Sequence, residues 1–142
     1  MKAAEADARS LEWNFQRTLA KVNYHIHTDA IKEHLIPPVL TRTQASAVYA
    51  SEADLLNMAL FGRTAAEWRR AFPDLDGNMR DAATLEQLVV LSNLESINAV
   101  LIHQGVAAPE RLTQLNAIAI SQMRSLLNAG AMKRLEEGRK KG

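Results

Sequence analysis

Residues 85–104 read LEQLVVLSNLESINAVLIHQ, and this stretch decides the fold. On a helical wheel, Leu85, Leu88, Val89, Val90, Leu91, Leu94, Ile97, Val100, Leu101 and Ile102 leave no wide polar sector. A helix that is apolar on every side is one that other elements surround. Twenty residues at about 1.5 Å of rise each span roughly 30 Å, the width of a small domain. The stretch therefore predicts a buried central helix, with the rest of the chain packed around it.

The totals agree. A chain of 142 residues has the length of one domain, and 47% apolar residues suffice for a core. The formal net charge of +1 gives no bulk attraction to nucleic acid or to an anionic membrane. The absence of cysteine excludes disulfides, thiolate zinc sites and a thiol nucleophile, and is compatible with the cytoplasm. The opening MKAAEADARS lacks an apolar signal core, and no uncharged apolar run reaches the roughly 18 residues of a spanning helix. Alanine, leucine and charged residues dominate, which favours helix over sheet.

Upstream, Ala4, Ala8, Leu11, Phe15, Leu19 and Val22 recur at steps of three and four, predicting a helix over 3–24 with one apolar stripe. Trp13, Ala20 and Tyr24 widen it. The stripe can dock on the rest of the domain or pair with a second copy. Thr28 or Asp29 then caps a short helix to about Leu35, which Pro37 and Pro38 end. Thr41 with Gln44 opens a helix over 42–50, and Ser51 opens another over 52–61 that can continue the first, with Gly62 at its C-terminal cap. Thr64 with Glu67 starts TAAEWRRAF, Pro73 ends it, and PDLDGN is a turn with Gly77 at a positive φ. Thr84 caps the central helix and Gly105 ends it. Pro109 fits the first turn of a helix over 109–128 striped by Leu112, Leu115, Ala119, Met123 and Leu126. The tail, 131–142, is charged and glycine-broken, and is expected to fray. The expected architecture is all-α: one domain, 1–130, of five to seven helices around 85–104.

Chemistry is sparsely marked. Ser92, Asn93, Glu95, Ser96 and Asn98 lie on the central helix and cannot all reach water. Ser92, Asn93, Glu95 and Asn98 are candidates for a buried polar network. A buried carboxylate needs a partner or must stay protonated, so Glu95 is expected to meet Arg69, Arg70 or Arg80. His25-Ile-His27 with Asp29 invites a metal reading, but the two histidines share no face of a helix and no downstream HxxxH or HExxH completes a site. No phosphate loop, dinucleotide fingerprint or nucleophile elbow is present, so no cofactor, metal or catalytic residue is assigned. For nucleic acid, the candidates are Arg63, Arg69, Arg70 and Arg80 around Trp68, with the tail bases Lys133, Arg134, Arg139, Lys140 and Lys141. The competing reading puts Trp68 in the core and its arginines in water or in ion pairs.

The runs HTDAIKEHLIP, YASEADLLNMALFGRTAAEWR, GNMRDAATLEQLVVLSNLESINAVLIHQG and ERLTQLNAIAISQM resemble a segment of phage and prophage proteins. That segment follows the KilA-N DNA-binding domain on its C-terminal side, and the resemblance covers roughly 20–127. It implies a regulatory setting. It transfers no DNA-binding residue, because nothing here reads as the mixed α/β KilA-N module itself. One departure is Ala83, where the resembled pattern has an aromatic; if that position lines a pocket, this chain's pocket is the more open one. The expected function is a non-enzymatic module for protein interaction or self-association in a phage-derived regulator. Direct nucleic-acid binding is the alternative, and a small-molecule or hydrolytic pocket around Glu95 is the third. A membrane partner is not expected.

Overall fold

A computed structural model of the chain describes residues 2–128 and 130–141; the side chains of residues 2–6, 131 and 141, Ala4 and Lys141 among them, lie outside the described residues. Among the described residues six helices follow one another: α1 (Lys2–Leu35), α2 (Arg42–Phe61), α3 (Ala65–Ala71), α4 (Leu85–His103), α5 (Ala108–Leu127) and α6 (Gly130–Lys141). The described residues contain no strand.

Helix α4 is the hub. Its Val90, Leu91, Leu94 and Leu101 join Leu56 and Ala59 of α2 and Leu115 and Ala119 of α5 in one apolar cluster. Ala99 and Ile102 join Ala30 and Ile31 of α1 in a second. Two clusters on different sides of one helix explain why its sequence shows no polar face. Each fully buried leucine or isoleucine contributes roughly 1.5–3 kcal/mol by leaving water, so α4 is anchored on two sides at once. By length and composition α4 could also cross a membrane, but most of it is covered by the neighbouring helices.

Helices α1 and α4 run parallel. Asn23 meets Ser92, His27 meets Asn98, and His34 meets His103, so residue numbers rise together along both helices. The first half of α1 extends past the start of α4. There α6 packs against it in the opposite direction, joined by Arg9–Glu137 and Glu12–Arg134 ion pairs. The bundle thus closes around α1 as well as α4.

Two local expectations are corrected, at Thr28/Asp29 and in the tail, and one that was open is decided, at 42–61. Thr28 and Asp29 cap nothing: α1 is continuous to Leu35. The Thr28 hydroxyl donates to the His25 carbonyl, and Asp29 pairs with His25 one turn back. Both polar groups are therefore satisfied inside the helix, and no glycine or proline interrupts it before Pro37. The segments 42–50 and 52–61 form the single helix α2, with Ser51 exposed in its middle. The charged tail is the helix α6, because Gly138 packs on α1 and Met132 is buried. The punctuation at Thr41, Thr64 and Thr84 stands as expected: all three are N-caps with complete capping boxes.

Gly138 is what lets α6 approach. A Cβ there would strike the Arg9 carbonyl and the Trp13 Cβ. Gly138→Ala is therefore expected to lift α6 off α1 and to expose residues 130–141 to fast amide exchange. Gly130→Ala is the control, because nothing lies within 4 Å of its Cβ position. Unchanged protection in Gly138→Ala would show that α6 does not depend on this contact.

Of the two uses open to the stripe on α1, docking within the domain is not the one it takes. The face that docks carries Gln16, Ala20, Asn23, His27, Ala30 and Ile31. The more regular apolar row is left outside: Leu11 is 69% exposed, Phe15 68%, Leu19 41%, Val22 47% and Ile26 40%.

Candidate functional site

The polar residues of α4 do not form one network; they go three ways. Asn93 faces α5, donating to Gln122 at 2.9 Å. Ser92 faces α1 and accepts from Asn23 at 3.0 Å. Asn98, fully buried, sits at the centre of a cluster built from four helices.

That cluster can be derived from its donors. The Arg111 guanidinium of α5 lies against Glu52 of α2, Nη1 to Oε1 at 2.5 Å and Nη2 to Oε2 at 3.2 Å. Its Nε donates to the Val106 carbonyl at 2.9 Å. Nη1 also reaches Asn98 Oδ1 at 3.0 Å. A guanidinium can only donate, so the oxygen of Asn98 must face it and the amide NH2 must face away. That NH2 then donates to Glu52 Oε1 at 3.1 Å and to His27 Nε2 at 2.9 Å. An imidazole nitrogen that accepts carries no proton, so neutral His27 holds its hydrogen on Nδ1. Burial, and then the Arg111 and Arg80 charges, lower the His27 pKa to about 4 against the opposing pull of Glu52. A second proton would also point an N–H at the Asn98 N–H, which the amide cannot accommodate.

Neither Glu52 nor Arg111 is singled out by the sequence. Glu52 is an interior residue of α2, buried with Leu56 and Ala59. Arg111 shares the buried face of Leu115 and Ala119. The available signal was phase: a charge recurring within an apolar stripe.

Glu95 is the exception. It is only 4% exposed, and among the described residues it makes no hydrogen bond. The expected arginine is not there. Arg69 turns to the α3–α4 connection, donating to the carbonyls of Phe72, Leu75 and Gly77 and lying 4.8 Å over the Trp68 ring. Arg70 is exposed on α3. Arg80 is near enough to act on Glu95 through space but forms no ion pair with it. His27 Nδ1 stands 4.0 Å from Oε2. This is not a salt bridge at neutral or mildly acidic pH. Burial raises the Glu95 pKa to about 7 and lowers that of His27 to about 4, so both groups are neutral in between.

Glu95 borders two cavities. The larger, about 440 Å³, is a groove between α1 and α4. Its walls are Trp13, Ala20, Leu85, Leu88, Val89 and Leu91; Arg17, Lys21 and Arg80 stand exposed at its mouth. The smaller, about 130 Å³, leads past His27 and Tyr49 toward α2. No buried side-chain oxygen among the described residues lacks a partner. The unbonded Glu95 carboxyl must therefore open onto the cavities it lines.

Four of the Arg/Trp candidates stay close together, Arg63 and Arg70 both near Glu67 and Arg69 over the Trp68 ring, and Arg80 stands apart. Trp68 is buried, and with Arg63, Phe61, Phe72, Met79 and Ala83 it lines a separate cavity of about 220 Å³. Ala83 does border that cavity, where an aromatic would fill space. Arg80 belongs to the Glu95 groove instead. In the tail, Arg134 pairs with Glu12 and Arg139 with Glu136, leaving Lys133 and Lys140 exposed.

The histidines of HIH part company as the helix predicts: His25 is exposed and His27 buried. A different group was invisible in sequence. Glu33, His34 and His103 place one ligand atom each within 4.8 Å of one another. The parallel register of α1 and α4 brings them together. All three are exposed, and His34 Nε2 and His103 Nδ1 already share a hydrogen bond at 2.6 Å.

No family model matches the chain, and neither curated proteins nor solved structures give a match.

Proposed function

We propose that this chain is a non-enzymatic assembly module that pairs with a second copy of itself through α1. The supporting observation is the exposed row Leu11, Phe15, Leu19, Val22 and Ile26. It runs along an exposed flank of α1 and spans roughly 22 Å of helix. Single exposed apolar residues are ordinary, but five in a continuous row are a contact surface.

The occupant follows from spacing. Phe15, Leu19, Val22 and Ile26 are separated by four, three and four residues, the repeat with which two helices interdigitate along a seam. Such a row is complementary to its own copy related by a twofold axis. In a protein of the phage and prophage kind that the sequence resembles, this pairing brings two KilA-N domains together. Two linked modules then read two half-sites of one operator.

Light scattering after size exclusion, at tens of micromolar protein, is expected to give twice the monomer mass. Leu19→Glu puts a charge in the seam twice over by symmetry, and is expected to weaken association by roughly a hundredfold or more. Its far-ultraviolet circular dichroism and melting temperature stay those of a folded chain, because Leu19 touches no core cluster. A wild-type monomer at that concentration, or a Leu19→Glu variant as dimeric as the parent, overturns the proposal.

A further inference from the structure

The groove beside Glu95 is unrelated to the α1 stripe, since the two lie on different sides of α1. We infer that the groove binds a small organic amine, its apolar body on Leu85, Leu88, Val89, Leu91 and Trp13 and its ammonium against the Glu95 carboxyl. Glu95 is 4% exposed, takes no hydrogen bond from the described residues and lines the groove, while the neighbouring Asn98 and Glu52 are fully partnered. A carboxyl that opens onto a largely apolar groove and has no donor from the protein is free to take one from a ligand, in surroundings where a charge-assisted hydrogen bond is stronger than in water.

The mouth raises an objection, because Arg17, Lys21 and Arg80 repel a cation. All three are exposed. Water and salt screen exposed charges to well under the strength of a contact made at a buried carboxylate. The indole of Trp13 and the phenol of Tyr24 line the same groove and add attraction for a cation. An acidic amphiphile would satisfy the mouth but leave Glu95 unpartnered beneath it. A volume of about 440 Å³ takes a molecule of drug size rather than a single ion.

The groups facing Glu95 are known from each side. Helix α1 supplies Arg17, Lys21, Tyr24 and His27, and the α3–α4 connection supplies Arg80. Glu52 of α2 and Arg111 of α5 lie behind His27 and neutralise one another. His27 stays neutral above about pH 4, so Glu95 is the group that titrates near neutrality. Ammonium binding needs its ionised form, and affinity is expected to rise about tenfold from pH 6 to pH 8.

Calorimetric titration with 4-phenylbutylamine, 4-phenylbutanoate and 4-phenylbutanol tests the inference on the intact chain. The amine is expected to bind roughly tenfold or more tightly than the other two. Glu95→Gln keeps the shape, lowers amine affinity by a similar factor and abolishes the pH dependence. Leu88→Trp, which fills the groove without touching Glu95 chemistry, weakens all three probes. Leu19→Glu leaves amine binding unchanged, which separates this inference from the dimer. It is overturned if the butanoate binds as well as the amine. Unaltered amine affinity in Glu95→Gln, or no saturable binding below ~10 mM, overturns it equally.

Discussion

Arg111→Met is expected to cost the protein about 3–5 kcal/mol of stability. The side chain is 3% exposed, and its guanidinium holds both oxygens of Glu52, the oxygen of Asn98 and the Val106 carbonyl. Methionine keeps most of the volume and removes every donor. Glu52, 5% exposed, then remains as a buried carboxylate facing an amide alone. At roughly 2–4 °C per kcal/mol for a chain of this size, the melting temperature falls by about 10 °C or more. The double variant Glu52→Met/Arg111→Met is expected to recover much of the loss, because two buried charges leave together. It does not recover all of it: Asn98 keeps His27 but loses its other partners, which costs about 1–3 kcal/mol. Urea unfolding of the two variants and the parent measures this. A single variant within about 1 kcal/mol of the parent would show that the charges are solvated rather than enclosed.

The second large effect concerns pH, and it is hidden in the parent by cancellation. His27 titrates near 4 when folded and 6.5 when unfolded. The unfolded chain binds the extra proton in that interval, so the His27 contribution is complete above 6.5 and is lost as pH falls toward 4. Glu95 titrates near 7 when folded and 4.5 when unfolded. Here the folded chain holds the extra proton, so its contribution is complete below 4.5 and is lost as pH rises toward 7. Each interval is worth about 3 kcal/mol, and between pH 4.5 and 6.5 the two slopes oppose one another. Glu95→Gln removes one of them. Relative to the parent, this variant is expected to gain about 3 kcal/mol as pH is raised from 4.5 to 7. His27→Gln shifts the other way, losing its relative advantage by a similar amount from pH 4 to 6.5. Subtracting the parent curve removes the exposed carboxylates, which titrate in all three proteins. Parallel curves for parent and Glu95→Gln would place the Glu95 carboxyl in water.

The same residues show how far a linear reading reaches. Helix identity, the caps at Thr41, Thr64 and Thr84 and the breaks at Pro37, Gly62 and Gly105 were legible, because capping boxes, prolines and positive-φ glycines act over a few residues. The burial of α4 was legible too, since only a surrounded helix tolerates apolar side chains on all faces. So was the peril of Glu95: any carboxyl on that helix must find a partner or keep its proton. Which partner was not legible. Arg80, close in sequence, stands at the groove mouth, while Arg111, not a candidate, reaches Glu52 across 59 positions. The stripe on α1 was readable as apolar but not as exposed. Periodicity records that a face is apolar, whereas its burial depends on which face the other helices reach. Tertiary structure made those choices through the parallel register of α1 on α4, which aligns His27 with Asn98 and turns Leu11 to Ile26 outward. Register is fixed by packing between residues about seventy positions apart, and no local pattern carries that distance.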